Sequence, residues 1–268
     1  MLSGHYCDAT HVSAFSHRHL QCHPSFDLGL ATPTIQSVQS PQVTLVFDGD
    51  QTIWDFRWAL ARALEATRME IARVAGVGME AIPSVGEMST ARDELAAAST
   101  ASRLEVVRRA AFAQLLDEIG ATATDEMVDH INTFFVGRRY EMCRPYRDAV
   151  QALQALSGLY RIVLLSNGNT QPDKLGLGSL FAHTFYADDI GHSKPSPAAY
   201  AHVASICASD TFVSIGDSIE NDIDGPRDFG WRTVWVNRDS RDLPRHSQPD
   251  AVMTSLTGLE DTLARIIT

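Results

Sequence analysis

Lysine is almost absent from this chain: of its 22 basic residues, only Lys174 and Lys194 are lysine and the other twenty are arginine. The chain also lacks a basic stripe of the kind that neutralises nucleic-acid phosphates, and its formal net charge is -11, so no nucleic-acid partner is expected. Long apolar runs are missing too. Val163–Leu165 is typical of those present, far from the roughly 18 consecutive apolar residues of a membrane span. The four cysteines (Cys7, Cys22, Cys143, Cys207) are scattered without a CxxC, which excludes a disulfide framework and points to a reducing compartment. The first 25 residues have neither the apolar stretch of a signal peptide nor an arginine-rich transit pattern, so the expected location is cytoplasmic.

What remains is a chain of 268 residues, 44% hydrophobic and 21% charged, enough for one large domain or two smaller ones. Residues 1–41 stand apart. They hold five of the ten histidines and Pro24, Pro33 and Pro41, without periodicity, and read as a disordered, dispensable leader. Cys7, His11, His17, His19, Cys22 and His23 match no standard zinc spacing. Structure begins with the β-rich run Val43–Phe47. From residue 54 to about 144 the pattern is helical, with Leu60, Leu64, Ile71 and Val74, then Leu104, Val107, Leu115 and Ile119, then Met127, Ile131 and Phe134 at helical spacing. Pro83 and Gly86 break this block, Gly120 reads as a helix stop and Thr124 as a helix start. The second half alternates strands (Arg161–Leu165, Phe212–Ile215, Thr233–Val236) with helices (Asp148–Leu156, Pro197–Ala208, Asn221–Phe229). That alternation implies an α/β fold with a doubly wound parallel sheet. A lone strand is unstable, so Val43–Phe47 must join that sheet. The organisation is then a core of residues 42–53 and 145–268, interrupted by a helical insert at 54–144.

Ligands of such sheets bind beyond the carboxyl ends of the strands. Three strands end there in Asp48-Gly-Asp50-Gln-Thr52, Ser166-Asn167-Gly168 and Gly216-Asp217 with Asn221-Asp222 downstream. His192-Ser-Lys194-Pro195 lies in a loop between them. Asp48, Asp50 and Asp217 would repel one another without a cation. Oxygen-only donors suit Mg²⁺, and a carboxylate can act as a nucleophile toward phosphorus. Lys194 would neutralise that nucleophile and a phosphate, whose oxygens Ser166 and the Asn167 N–H would hold. The set reads as a phosphoryl-transfer site.

The strings VFDGDQTIWD, LLSNGN, GHSKPSPAAY and IGDSIENDIDGPRDFGWRTVWVNR resemble the four ordered motifs of the haloacid dehalogenase superfamily, over about residues 43–265. Pro145-Tyr-Arg-Asp148 and the late strand Asp250–Met253 resemble family features as well. The resemblance implies a Rossmann-like core with a helical cap. It implies Asp48 as the nucleophile that becomes an aspartyl-phosphate, and Asp50 as general acid and then base. Thr52 would orient both, Ser166 and Asn167 would bind phosphate, and Lys194 would bridge phosphate and Asp48. Asp48, Asp217 and the Asp50 backbone carbonyl would ligate Mg²⁺, with Asp222 behind them and Asn221 a weaker candidate. The dehalogenase branch lacks the second aspartate, so Asp50 argues for phosphate chemistry. Gln51 and Pro226 depart from the usual pattern without removing a chemical group.

The expected activity is a Mg²⁺-dependent phosphatase for a small phosphorylated metabolite. A phosphomutase, a 2-haloacid dehalogenase or a binding protein that kept the fold are the alternatives. In the insert, Trp54, Phe56, Arg57 and Trp58 are candidate substrate contacts, with Arg92, Arg138 and Arg139 behind them. Met69, Met79 and Met88 read as core of the insert. His130, His192 and His202 read as structural or exposed.

Overall fold

The computed structural model describes residues 43–98 and 103–267; the leader and its histidines lie outside them. Strand β1 (Val43–Phe47) is followed by four helices: α1 (Phe56–Ala75), α2 (Val85–Ala98), α3 (Leu104–Glu118) and α4 (Asp125–Met142). The chain continues through α5 (Arg147–Leu156), β2 (Arg161–Ser166), β3 (His183–Tyr186), α6 (Ala187–Ile190), α7 (Pro197–Cys207) and β4 (Thr211–Gly216). A π-helical turn at Ile219–Asp224, α8 (Gly225–Asp228), β5 (Arg232–Val236), β6 (Ala251–Met253) and α9 (Leu259–Ile266) complete it.

The strands form one parallel sheet in the order β3-β2-β1-β4-β5-β6. Alternate residues of a strand face opposite sides. Leu45 and Phe47 accordingly enter a core with Ala149, Leu153, Leu259 and Leu263 of α5 and α9. Val46 and Val163 enter the other core, with Tyr200, Val203 and Cys207 of α7. Both faces are covered, as the strand–helix alternation requires. Strand β1 lies between β2 and β4, so the ends of these three strands adjoin at one edge.

The inserted block has its own core, including Leu64, Ile71, Phe112, Leu116, Ile131 and Phe135. Its helices are locally encoded. Asp55 accepts the Trp58 N–H at 3.0 Å to cap α1, Thr124 accepts the Met127 N–H at 3.2 Å to cap α4, and Ser84 and Glu87 form a reciprocal capping box before α2. Such caps satisfy the orphan donors of a first turn. Gly86 sits inside α2, so the break falls earlier, around a short turn at Met79–Ala81 and Pro83. Met88 is buried, but Met69 and Met79 are exposed; only one of the three methionines belongs to the core. The two strands of chain that connect block and sheet run side by side, with Asp55 N–H on Arg144 O at 3.1 Å and Tyr146 N–H on Ile53 O at 2.8 Å.

Ile131 has no exposed surface and sits in the block's core. Ile131→Ala is expected to cost about 2–5 kcal/mol. Val106→Ala, on the exposed side of α3, should change stability by less than about 0.5 kcal/mol. Denaturant unfolding of the two variants checks both values.

Candidate active site

The carboxyl ends of β1, β2 and β4 deliver Asp48, Ser166 and Asp217 to one edge, and the loop before α7 brings Lys194 to them. Lys194 is 5% exposed. Its ammonium donates to Asp48 Oδ1 at 2.8 Å and to Asp222 Oδ1 at 2.6 Å. Burial opposes that charge, but the carboxylates of Asp222 and Asp48 outweigh it and hold the Lys194 pKa above its ordinary value. The loop is held through its backbone: Asn167 Nδ2 donates to Lys194 O and Lys194 N–H donates to Asn167 Oδ1, both at 2.8 Å. The Asn167 side chain thus positions Lys194, and its backbone is what it can offer a ligand.

Two close approaches need glycine. A Cβ on Gly216 would lie 2.2 Å from Asp222 Cγ, and one on Gly49 would lie 2.4 Å from the Trp54 ring. Glycine at 216 lets Asp222 tuck under the end of β4, where its Oδ2 accepts the Ser218 N–H at 3.0 Å. Glycine at 49 lets Trp54 fold beneath the loop. Trp54 is fully buried and donates its indole N–H to Asp50 Oδ1 at 2.6 Å, so it supports Asp50 and does not face a ligand. Burial raises the Asp50 pKa, against the Trp54 hydrogen bond and the charges of Arg139 and Lys194. Burial likewise raises the Asp48 pKa, with Lys194 opposing it.

Ligand oxygens of Asp48, Asp217 and Asp222 lie within 4.8 Å of one another. The Asp50 carboxylate is outside this group, committed to Trp54. The donors are all oxygen, which fits a hard divalent cation. Asp217 is pushed up from 3.8 to about 6, first by burial and then by Asp222, while Arg241 and Arg57 pull it down. Arg241 also donates to the Asp217 carbonyl at 2.5 Å. Ser166 is buried, and its hydroxyl accepts the Gly168 N–H at 3.0 Å. The Thr52 hydroxyl is buried and has no hydrogen-bond partner among the described residues, while its carbonyl accepts from Arg238 at 2.9 Å. Gln51 adopts a φ of 64°, the left-handed region that favours glycine. Its side chain compensates by accepting the Arg57 N–H at 2.7 Å.

A cavity of about 1100 Å³ runs from Asp50, Asn167 and Gly168 into the helical block. Of the candidate contacts, Phe56, Arg92 and Arg139 line it, whereas Trp58 is exposed elsewhere. Arg57 pairs with Asp239 at 2.7 Å, and Arg138 with Glu141 at 2.6 Å. Arg108 also lines the cavity and was not singled out by the sequence. The signal was there: Leu104, Arg108, Phe112 and Leu115 form one helical stripe, with a charge in its middle. His130 pairs with Glu70 and His192 is exposed, as expected. Among the described residues no helix is long and apolar enough to cross a membrane.

With its parallel sheet, inserted helices and acidic strand ends, the molecule is a hydrolase with a Rossmann-like core of the kind its motifs resemble. The sequence matches the haloacid dehalogenase-like hydrolase family over residues 43–230, and the chain belongs to that family. It is 33% identical over 135 residues to (S)-2-haloacid dehalogenase 2 of Pseudomonas sp. strain CBS-3, a match covering 46% of this chain and 58% of that protein. It is 31% identical over 150 residues to the phosphoserine phosphatase of Thermus thermophilus, covering 53% and 59%. These matches span less than two-thirds of each relative's length. The crystal structure of a 2-haloacid dehalogenase from Pseudomonas syringae pv. tomato DC3000 superposes with a TM-score of 0.72 at 26% identity, covering 83% of this chain and 98% of that one.

The raised Asp217 pKa has a consequence for stability without metal. Below about pH 4 the group is protonated folded and unfolded, and costs nothing. As pH rises from 3.8 through about 6, the unfolded chain releases its proton more readily than the folded one, so stability falls and stays lower above that window. Asp217→Asn is therefore expected to melt above the parent at pH 8 in a chelator, and level with it at pH 4. Thermal unfolding of both proteins at the two pH values tests this.

Proposed function

We propose that this chain is a Mg²⁺-dependent phosphatase that hydrolyses a small phosphate monoester through an aspartyl-phosphate on Asp48. The observation that carries this reading is Asp50: a buried carboxyl with a raised pKa, beside Asp48 and on the cavity wall. An alkoxide leaving group needs a proton, and a halide does not. A phosphatase relative and a dehalogenase relative match to similar extents, so the chemistry of this residue is what separates the two readings. The match with the phosphatase relative supports phosphate chemistry without deciding it.

The Asp48 carboxylate attacks phosphorus as the bond to the ester oxygen breaks, and the electron pair leaves on that oxygen. Asp50 gives that oxygen its proton. Asp50, now ionised, takes a proton from the water that attacks the phosphoryl group, and the Asp48–phosphorus bond breaks. Lys194 holds Asp48 in place and offers positive charge to the phosphoryl oxygens, together with the Ser166 hydroxyl and the Asn167 backbone N–H. Asp48, Asp217 and the Asp50 carbonyl would hold Mg²⁺, with Asp222 behind them. The ion supplies charge that offsets the repulsion between carboxylates and phosphate. The helical block serves as a cap that excludes water and selects the substrate.

In the presence of Mg²⁺, phosphate release from para-nitrophenyl phosphate is expected, and chelation should abolish it. Halide release from 2-haloacids without phosphatase activity would overturn the reading in favour of a dehalogenase, and phosphosugar isomerisation without phosphate release in favour of a mutase. Inertness toward all three classes would leave a binding protein.

The two aspartates separate by leaving group. Asp48→Asn should remove phosphoryl transfer from every ester. Asp50→Asn should slow the single-turnover step by about 10²–10⁴-fold for an alkyl phosphate, and far less for para-nitrophenyl phosphate, whose phenolate departs without a proton. Rapid-quench measurement of the first turnover checks it; equal slowing for both esters would deny Asp50 the role of acid.

A further inference from the structure

Two guanidinium groups in the cavity wall have no carboxylate partner. Arg139 is 5% exposed. Its Nη1 donates to Asn169 Oδ1 at 2.7 Å, and its buried Nε has no hydrogen-bond partner among the described residues. The Nε of Arg108 donates to Asn132 Oδ1 at 2.7 Å. Neither arginine makes an ion pair within 4.0 Å among the described residues; the carbonyls of Asn132 and Asn169 orient the guanidiniums without cancelling their charge. Burial and the neighbouring Arg139 push the Arg108 pKa down to about 10, while Glu105 and Asp188 act on it only at longer range.

Two other arginines of the helical block do have carboxylate partners. Arg92 and Arg138, on α2 and α4, have Asp93 and Glu141. The acidic groups that share the cavity lining make no ion pair with either arginine: Glu87 binds Ser84, Glu118 binds Gln114, Asp93 pairs with Arg92, Glu94 is exposed, and Asp50, which accepts from Trp54, feels Arg139 only at longer range. Two like charges that act on each other, one buried and one half-buried, weaken a fold unless something neutralises them. Around them Leu60, Leu64, Phe112, Leu115 and Phe135 make the wall apolar, which strengthens the field of the pair. Arg139 also acts electrostatically on Asp50, which places it on the side where the ester's organic group leaves.

We infer that the substrate carries a second anionic group, distinct from the reacting phosphate and attached to an apolar body, and that Arg108 and Arg139 bind it. The inference rests on the phosphatase reading for the reacting end of the molecule. A carboxylate or a second phosphate would supply the same chemistry, and Arg suits the planar, two-oxygen face of either.

The test uses the full chain and three aryl phosphates with closely similar leaving groups: the phosphate ester of 3-(4-hydroxyphenyl)propanoate, its primary carboxamide, and the analogue with a second phosphate in place of the carboxylate. One or both arms that carry a second anionic group should exceed the amide at least tenfold in kcat/KM, mostly through KM, and the better arm identifies the group recognised. Arg108→Gln should shrink that preference to within about twofold, and Arg108→Lys should restore part of it. Calorimetry of the phosphate-free acid and its amide on the parent protein needs neither turnover nor a folded variant; the acid should bind at least tenfold more tightly. Equal kcat/KM across the three esters, or equal binding of acid and amide, overturns the inference and leaves the phosphatase reading standing. If no ester is turned over with Mg²⁺, the phosphatase reading fails, and the calorimetric comparison decides the anion site on its own.

Discussion

One ammonium between two buried carboxylates constrains everything around it. Lys194 reaches Asp48 and Asp222 at 2.8 and 2.6 Å, and removing either partner would strand a charge in a place that water hardly enters. Such pairs add little net stability, because desolvating the ions costs about what their attraction returns. What they enforce is geometry. Asp48 ends β1, Asp222 follows β4, and Lys194 arrives from a loop held by Asn167 after β2. The ion pairs close only if β1 lies between β2 and β4, in the order the sheet adopts.

The same arrangement leaves a deficit of positive charge. Asp48, Asp217 and Asp222 crowd together, and Lys194 bonds to only two of them. Asp217 has a guanidinium nearby in Arg241, but at 3.4 Å and on the exposed side. Burial first, and then the charge of Asp222, raise its pKa against the pull of Arg241 and Arg57. A fold that keeps an unfavourable carboxylate where a neutral amide would fit has traded stability for a ligand, a pattern common to functional sites.

Much of this was legible in the sequence because strand ends and chemistry coincide. Val43–Phe47 is rich in β-branched and apolar residues, and the acidic string begins directly after its last residue, so fold and site could be read from the same stretch. What escaped depended on direction. Strand β3 was not read because His183 and Thr184 are exposed and only Phe185 and Tyr186 carry the apolar signal. Helix α2 lies within the stretch that reads as helical, but its alanine-rich segment has no large-residue stripe to single it out. Trp54 was taken for a substrate contact from its position after the motif, yet a glycine five residues earlier opens the space that takes the ring inward. Periodicity finds a buried face; it does not say which of two buried partners a side chain will meet. The methionines show the same limit, since Met88 enters the core of the block while Met69 and Met79 are exposed.

The two charged features of the molecule have opposite sign, and this orders the cavity. At the sheet edge, carboxylates outnumber the one ammonium; within the helical block, two guanidiniums face an apolar space without a counter-ion. A molecule with two anionic groups lying along this axis would meet a cation-dependent end and a cation-rich end, separated by apolar side chains that contribute about 25 cal/mol for each Å² of apolar surface they cover. The chain as a whole carries a formal charge of -11, so long-range attraction cannot draw such an anion in, and screening by salt at about 8–10 Å limits the repulsion it meets. Selection must therefore act at contact, where a ligand lacking the second charge would leave the buried Arg139 and the half-buried Arg108 without an anionic partner. That penalty falls on the wrong substrate and not on the right one, which makes an unpaired charge in the free protein a source of discrimination.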